Sequence, residues 1–289
     1  MAVGTYALTS LANLKAWIGI SASTFDSVLE SSVDRATAVV ESYLDREVKS
    51  RTQREFIDPE GQRTIVTNHH PITAIKTIAF GVSDAITLTL DDSSDVLATV
   101  ENDGSSLKFQ RINSSGSATS ASLAFSSYPT TSQLVTQINS SVSGFSASLV
   151  KNAYSYSLHR FGGRGMIEAT LNLTYTRDNI SEYRVEFATG RIHMLSDRFP
   201  TYRSEYDFTN HFPSTFQSVF VEYTAGFATV PDDIEQATIE IAADMYRARK
   251  EDQTKGSESL GDYSYSKGKD YNERQAMILE RLSMYRNLR

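Results

Sequence analysis

Residues 219–249 read VFVEYTAGFATVPDDIEQATIEIAADMYRAR. Val219 to Ala225 is rich in β-branched and aromatic residues, the composition of a strand. The dipeptide Ala225-Gly226 marks a turn. Pro231 then opens a helix, because its missing N–H would be an orphan donor in the first helical turn in any case. Asp232 and Asp233 complement the positive end of the helix dipole, and Arg247, Arg249 and Lys250 complement the negative end. Ile234, Ala237, Ile241, Met245 and Ala248 recur on one face. The stretch is therefore strand, glycine turn, amphipathic helix.

Two helices are expected near the N-terminus. Residues 10–18 form a short one, capped by Thr9 or Ser10 and stopped by Gly19, with Leu11, Leu14 and Ile18 on one face. A longer one runs from about Thr24 to Glu47, where Phe25, Leu29, Val33, Ala36, Val40, Tyr43 and Leu44 make one stripe. Its polar face, with Asp26, Glu30, Asp34, Arg35 and Glu41, reads as solvated. Next, Glu55-Phe56-Ile57 and Arg63-Thr64-Ile65-Val66 flank Asp58-Pro59-Glu60-Gly61 and read as a hairpin. Pro71 to Ile78 is a further extended segment. A second hairpin is expected around Ala188-Thr189-Gly190, between Val185–Phe187 and Arg191–Leu195. A polar, aromatic loop, Ser196–Ser218, leads back to the opening strand.

Between about Gly81 and Thr176 the composition shifts to serine and threonine. Alternation persists through it, so the segment reads as ordered. Expected strands are Ile86–Leu90, Val96–Val100, Leu107–Ile112, Ser120–Phe125, Phe145–Val150, Tyr154–Leu158 and Met166–Tyr175. One helix fits at about Thr131–Ser141, with Leu134 and Ile138 on its inner face. Gly162-Gly163-Arg164-Gly165 reads as a loop. Past the main helix, Glu251–Lys269 is polar with three glycines and reads as a mobile arm. A last helix is expected over Asn272–Asn287, with Ile278, Leu282 and Tyr285 on one stripe beside Met277, Met284 and Leu288. Such a stripe must fold back on the core or dock on a partner.

A chain of 289 residues accommodates two domains of about 100–150 residues. No apolar run approaches the roughly 20 residues that span a bilayer, and the N-terminus does not read as a secretory signal. The absence of cysteine excludes disulfides and thiolate metal sites. A net charge of −7 argues against a whole-surface grip on nucleic acid, which draws its affinity from basic residues displacing counterions.

No motif for chemistry stands out, and neither catalysis, a metal nor a cofactor is expected. His69 and His70 are adjacent on extended chain and point to opposite faces, so they cannot readily chelate one ion. Asp91, Asp92 and Asp95, with Asp103-Gly104 beyond, match no EF-hand spacing and read as hairpin turns. The glycines at 162–165 lack the lysine and hydroxyl residue of a P-loop. No Gly-x-Ser-x-Gly elbow occurs. Tyr263, Tyr265 and Tyr271, interleaved with Lys267, Lys269 and Arg274, have the texture of a single-strand nucleic-acid contact. Asp262, Asp270 and Glu273 dilute that charge, and tyrosine with arginine also suits protein docking, which is the preferred reading.

Several motifs occur in a telling order. They are the helical pair Leu11–Ile18 and Phe25–Val48, the hairpin end Thr189-Gly190-Arg191-Ile192, then Tyr223-Thr224-Ala225-Gly226-Phe227, Val230-Pro231-Asp232-Asp233-Ile234 and Gly261-Asp262-Tyr263-Ser264. Together they resemble the head–tail connector (adaptor) proteins of long-tailed double-stranded DNA bacteriophages. The resemblance covers roughly residues 5–80 and 183–266. It implies an α+β fold, with a mainly helical adaptor core and a small β-sheet region, and the regularly spaced strands of the serine-rich stretch add an inserted β-rich α+β module. Residues 1–80 and 178–250 would be the core, 81–177 the insertion, and 251–289 a C-terminal arm and docking helix. Family members are usually shorter, so the insertion is the main departure.

The resemblance also implies a structural virion protein without enzymatic activity. It would form a homo-oligomeric ring, of twelve copies to match the portal, at the virion neck after synthesis in the host cytoplasm. Its partners would be the portal protein, neighbouring copies and a stopper or tail protein. Double-stranded DNA would pass through the channel without specific binding, and no membrane is involved. The expected portal or neighbour-subunit interface is Tyr263, Tyr265, Tyr271, Arg274, Ile278, Leu282 and Tyr285. The alternatives are another neck protein (stopper or tail terminator), or a host-surface or carbohydrate-binding protein acting through the inserted module.

Overall fold

The computed structural model describes residues 2–59, 62–92, 94–167, 170–179, 183–194, 217–249, 257–260, 263–266 and 271–286. In chain order, α1 (Leu11–Ile18) and α2 (Asp26–Leu44) precede β1 (Arg51–Ile57), β2 (Thr64–Val66) and β3 (Ile72–Phe80). There follow β4 (Ser83–Leu90), β5 (Leu97–Asn102), β6 (Ser106–Ile112), β7 (Ala118–Ala124), α3 (Thr131–Ser141) and β8 (Phe145–Leu149). Then come β9 (Phe161–Gly165), β10 (Leu171–Tyr175), β11 (Asp178–Asn179), β12 (Tyr183–Glu186), β13 (Arg191–Met194) and β14 (Val219–Ala225). Helix α4 (Asp232–Ala248), strands β15 (Ser257–Leu260) and β16 (Tyr263–Ser266), and α5 (Tyr271–Glu280) complete the order.

The expectation of a mainly helical core is overturned. Among the described residues strand outweighs helix, 36% against 30%, so sheets set the architecture. The sequence understated them because several strands are short or glycine-rich and carry little periodic signal. The residues cluster into two units. One holds residues 1–51, 69–73 and 225–289, the other 52–68 and 74–224.

The first unit is built on α1, α2, α4 and α5. Ser10 caps α1 by accepting from the Asn13 N–H at 3.1 Å, and Gly19, at φ 73°, ends it. Helix α2 stops at Asp45 in the left-handed region, short of the expected Glu47. Its stripe Leu29, Val33, Ala36, Val40 and Leu44 is buried. It faces Ile234, Ala237, Ile241 and Ala242 of α4 in one cluster. Pro231 occupies the cap of α4, one residue before the first turn, with Asp232, Asp233 and Glu235 just inside.

Gly226 explains the glycine turn. Its φ is +104°, and a Cβ there would lie 2.8 Å from the Val48 carbonyl oxygen and 2.9 Å from the Lys49 backbone. The chain is that close because Phe227 N–H donates to Val48 O at 2.7 Å and Ser50 N–H donates to Phe227 O at 3.0 Å. Only glycine supplies both the conformation and the clearance.

In the second unit the sheet order is β1–β14–β3–β11. The first hairpin expectation fails here. β1 pairs in this sheet, whereas β2 joins a separate sheet ordered β12–β13–β2. Ile65 of β2 lies opposite Ile192 of β13 and both are buried, so long-range pairing displaces the local one. The second hairpin is as read: β12 pairs with β13, and Gly190, at φ 70°, donates to Glu186 O at 3.0 Å.

Residues 83–175 of this unit carry two more sheets, β10–β4–β8 and β7–β6–β5–β9, with α3 against β8 and β4 of the first. Helix α3 has a full capping box, Thr130 with Gln133. One buried cluster is drawn wholly from this stretch, with Ile86, Val100, Phe109, Phe125, Leu134 and Phe145 among its members. Two expectations are corrected. Tyr154–Leu158 is not a strand but holds a 3-10 turn, Ser155–Ser157. There the serine hydroxyls donate to the nearby Tyr128 and Tyr154 carbonyls, both at 2.7 Å, which diverts the chain from a ladder. Conversely the glycines at 162–165 form edge strand β9, paired with β5 through a register shift between Val100 and Asn102.

Candidate functional site

The residues expected at the interface lie at the C-terminal end of the first unit. Of the polar arm, the described part forms an antiparallel pair, β15 with β16. Tyr263 and Tyr265 belong to β16 and Tyr271 begins α5; their side chains lie outside the described residues, as do Gly261 and Asp262 and the polar loop 196–216.

The apolar stripe of α5 folds back on its own unit. Ile278 and Leu282 are buried in the helical cluster, Leu282 to 1% exposure. The chain turns once more over Ser283–Tyr285, and the Tyr285 ring meets Phe227 edge-on at 6.4 Å. Its hydroxyl donates to Asp233 Oδ2 at 3.4 Å. Burial, with the Asp233 carboxylate adding to it, pushes this phenol up. Arg46 secures the turn from below: it donates to Tyr285 O at 3.2 Å and to His70 O, and its guanidinium lies 5.3 Å from the Phe227 ring centre. The Tyr223–Phe227 motif and the C-terminal turn therefore converge on one arginine.

The outward side of α5 is different. Met277 is 51% exposed, and the lone tryptophan, Trp17, is 50% exposed. Both line an open depression of about 430 Å³ with Glu240, Asp244, Arg274 and Arg281. Arg281 pairs with Glu240, and Arg274 Nε lies 3.7 Å from Asp244 Oδ2. An apolar centre framed by paired charges, with tryptophan and arginine, has the make-up of a protein-docking surface. Arg274 and Ile278 line it, and Ile278 with Leu282 also holds α5 in place. Sequence reading missed Trp17, Glu240, Asp244 and Arg281. The available signal was Trp17 itself, a large aromatic residue off the Leu11–Leu14–Ile18 face.

The remaining candidate chemistry has structural explanations. Arg111 occupies the place of a cation among the acidic residues, paired with the buried Asp95 and 3.7 Å from Asp92. Asp103 caps its own hairpin, accepting from Ser105 and Ser106 N–H, both at 2.8 Å, and from Lys108 Nζ at 2.9 Å. His70 is shifted down by burial and by Arg46 beside it. Among the described residues no three His, Asp or Glu side chains converge as metal ligands. None of the described helices is long and apolar enough to cross a membrane.

No protein-family model matches the chain, and no curated protein matches its sequence. Among the solved structures similar to it is one described as "Neck of empty GTA particle computed with C6 symmetry". It covers 100% of this chain and 95% of that one, at 14% identity and a TM-score of 0.41. A superposition that loose carries no argument about fold or function.

Proposed function

We propose that the chain is a structural neck protein, a head–tail connector that assembles as a ring between portal and tail. The observation that carries this reading is the unit around Gly226. The adaptor-like order of motifs, Tyr223–Phe227 then Val230–Ile234, is realised as a strand, a glycine turn pressed against Val48–Lys49, and a helix packed on α2. The role is geometric and involves no chemical step. Residues 81–177 are an insertion into this core, and the core continues into the C-terminal segment.

On this reading twelve copies match the portal, and a stopper or tail protein docks on the far side. Duplex DNA passes through without a specific grip, in keeping with the net charge of −7. The site of action is the virion neck, after synthesis in the host cytoplasm. The face of Trp17, Arg274, Met277 and Arg281, with Tyr263, Tyr265 and Tyr271 nearby in sequence, contacts the portal or the next copy. Subunits in a ring bind head to tail, so each presents two complementary surfaces.

Native mass measurement of the protein, alone and mixed with portal, tests this. A discrete ring is expected, formed either alone or only on portal. A protein that stays monomeric in both conditions contradicts the proposal. Trp17→Ala together with Met277→Ala is expected to weaken assembly while the monomer stays folded.

A further inference from the structure

Glu222 stands in the middle of β14, a strand whose neighbours in sequence are almost all buried, and it is itself 0% exposed. A buried carboxylate is costly unless it is paired. Two cations reach it from the flanking strands. Arg54 Nη2 of β1 lies 3.1 Å and Lys76 Nζ of β3 lies 2.9 Å from Oε1. The Tyr154 hydroxyl donates to the same oxygen at 3.4 Å. Tyr154 belongs to the inserted stretch, at the entry to its 3-10 turn.

The cations also face that turn directly. Arg54 lies 4.0 Å from the ring centre of Tyr156, and Lys76 lies 5.6 Å from that of Tyr154. Two cations on one anion leave a surplus positive charge, and aromatic faces attract it. The two tyrosine rings touch at 5.3 Å, and Tyr156 meets Phe125 edge-on at 5.5 Å. Phe125 is part of the cluster formed wholly by residues 85–175. A continuous path therefore runs from the carboxylate through two cations and two tyrosines into the insertion's own core. A second seam lies beside it, where Phe56 meets His159 at 5.4 Å, Gln217 bonds both backbone groups of Arg160, and the Arg160 guanidinium lies 5.8 Å from the Phe56 ring centre and donates to Arg54 O at 3.1 Å.

We infer that Glu222 is a latch: through Arg54 and Lys76 it fixes the Tyr154–Tyr156 turn, and with it the inserted stretch, on strands β1, β14 and β3. The insertion keeps its own core whether or not the latch is closed, because that core borrows nothing from the sheet. Latch and neck reading are independent of each other.

Hydrogen exchange on the full chain tests it, comparing the wild type with Glu222→Gln and Tyr154→Phe. In Glu222→Gln the peptides over Tyr154–Arg160 exchange about tenfold faster or more, the scale of a lost charged hydrogen bond. Peptides over β5 and β6 keep their wild-type protection. Tyr154→Phe removes one hydroxyl, leaves the ion cluster intact and accelerates the same segment by less; it carries the test if Glu222→Gln does not fold. Unchanged exchange over Tyr154–Arg160 in both variants overturns the latch. Equal acceleration of that segment and of β5 and β6 also overturns it, since the two parts then share one cooperative core.

Discussion

The helical cluster and the cluster of the proposed insertion are assembled in opposite ways. The first gathers residues from three distant stretches: Ala7–Val48, Ile234–Tyr246 and Ile278–Leu282. The second draws on one continuous stretch, Ala85–Tyr175. Contacts between distant segments must offset a larger loop-closure entropy before they stabilise anything. The stretch 85–175 can therefore form early and locally, whereas the helical cluster is complete only when residues 7–48, 234–246 and 278–282 have met. The continuous stretch spends its polar residues on local turns, as at Asp103 and Thr130. The discontinuous one leaves Trp17 and Met277 outward at one depression.

The largest expected effect breaks the comparison at the join of the helical unit. Gly226→Ala puts a Cβ against the Val48 carbonyl at a φ of +104°, and a loss of roughly 3 kcal/mol or more follows from strain and overlap combined. Denaturant melts would show it as a fall in midpoint. A near-neutral Gly226→Ala would mean that the backbone approach is wrong.

Core truncations sharpen the contrast. Phe109→Ala in the insertion is expected to lose about 3–5 kcal/mol, and Leu282→Ala at the C-terminal turn about 2–5 kcal/mol. With separate clusters, calorimetry should show the two substitutions lowering different transitions. A Leu282→Ala protein as stable as the wild type would instead place that side chain in solvent, free to meet a partner.

Much of this was legible beforehand, and the legible parts share a cause. The α2 stripe, the α3 helix and the Gly190 turn are local patterns, in which residues three, four or two apart decide the outcome. What was illegible depends on distant partners. Nothing in Arg51–Val66 says that β1 and β2 enter different sheets. The glycine-rich residues Phe161–Gly165 become a strand only because β5 offers its edge. Glu222 looks like an ordinary outward residue of a strand, and only Arg54 and Lys76, 168 and 146 positions away, allow it to be buried. The proposed docking face was half legible: the stripe of Ile278 and Leu282 was visible, but its fate was not. Because α4 offers it an apolar seat, the exposed side of α5 is the opposite one.

Smaller effects test the local devices of the insertion. Thr130→Ala removes the capping box of α3 and should cost about 1 kcal/mol. Asp103 offers a pH test. Burial works to raise its pKa, but Lys108 and the N–H and hydroxyl groups of Ser105 with the Ser106 N–H outweigh that and hold the carboxyl well below the usual range. A depressed folded-state pKa stabilises above the unfolded value, near 3.9, and the contribution is lost as pH falls below it. The Asp103→Asn protein should accordingly be less stable by about 1 kcal/mol at neutral pH, and the gap to wild type should close on acidification below about pH 4. A gap that stays constant down to acid pH would point to steric disruption of the turn.

The central proposal is that this chain closes into a ring at a particle neck. An electron-microscopy reconstruction of the protein bound to portal tests it most directly. The account predicts a closed ring of twelve copies, with an open axial passage that admits duplex DNA and with α5 and Trp17 at a contact between copies or with portal. Isolated monomers on the portal surface, or a disc with no passage, would contradict it.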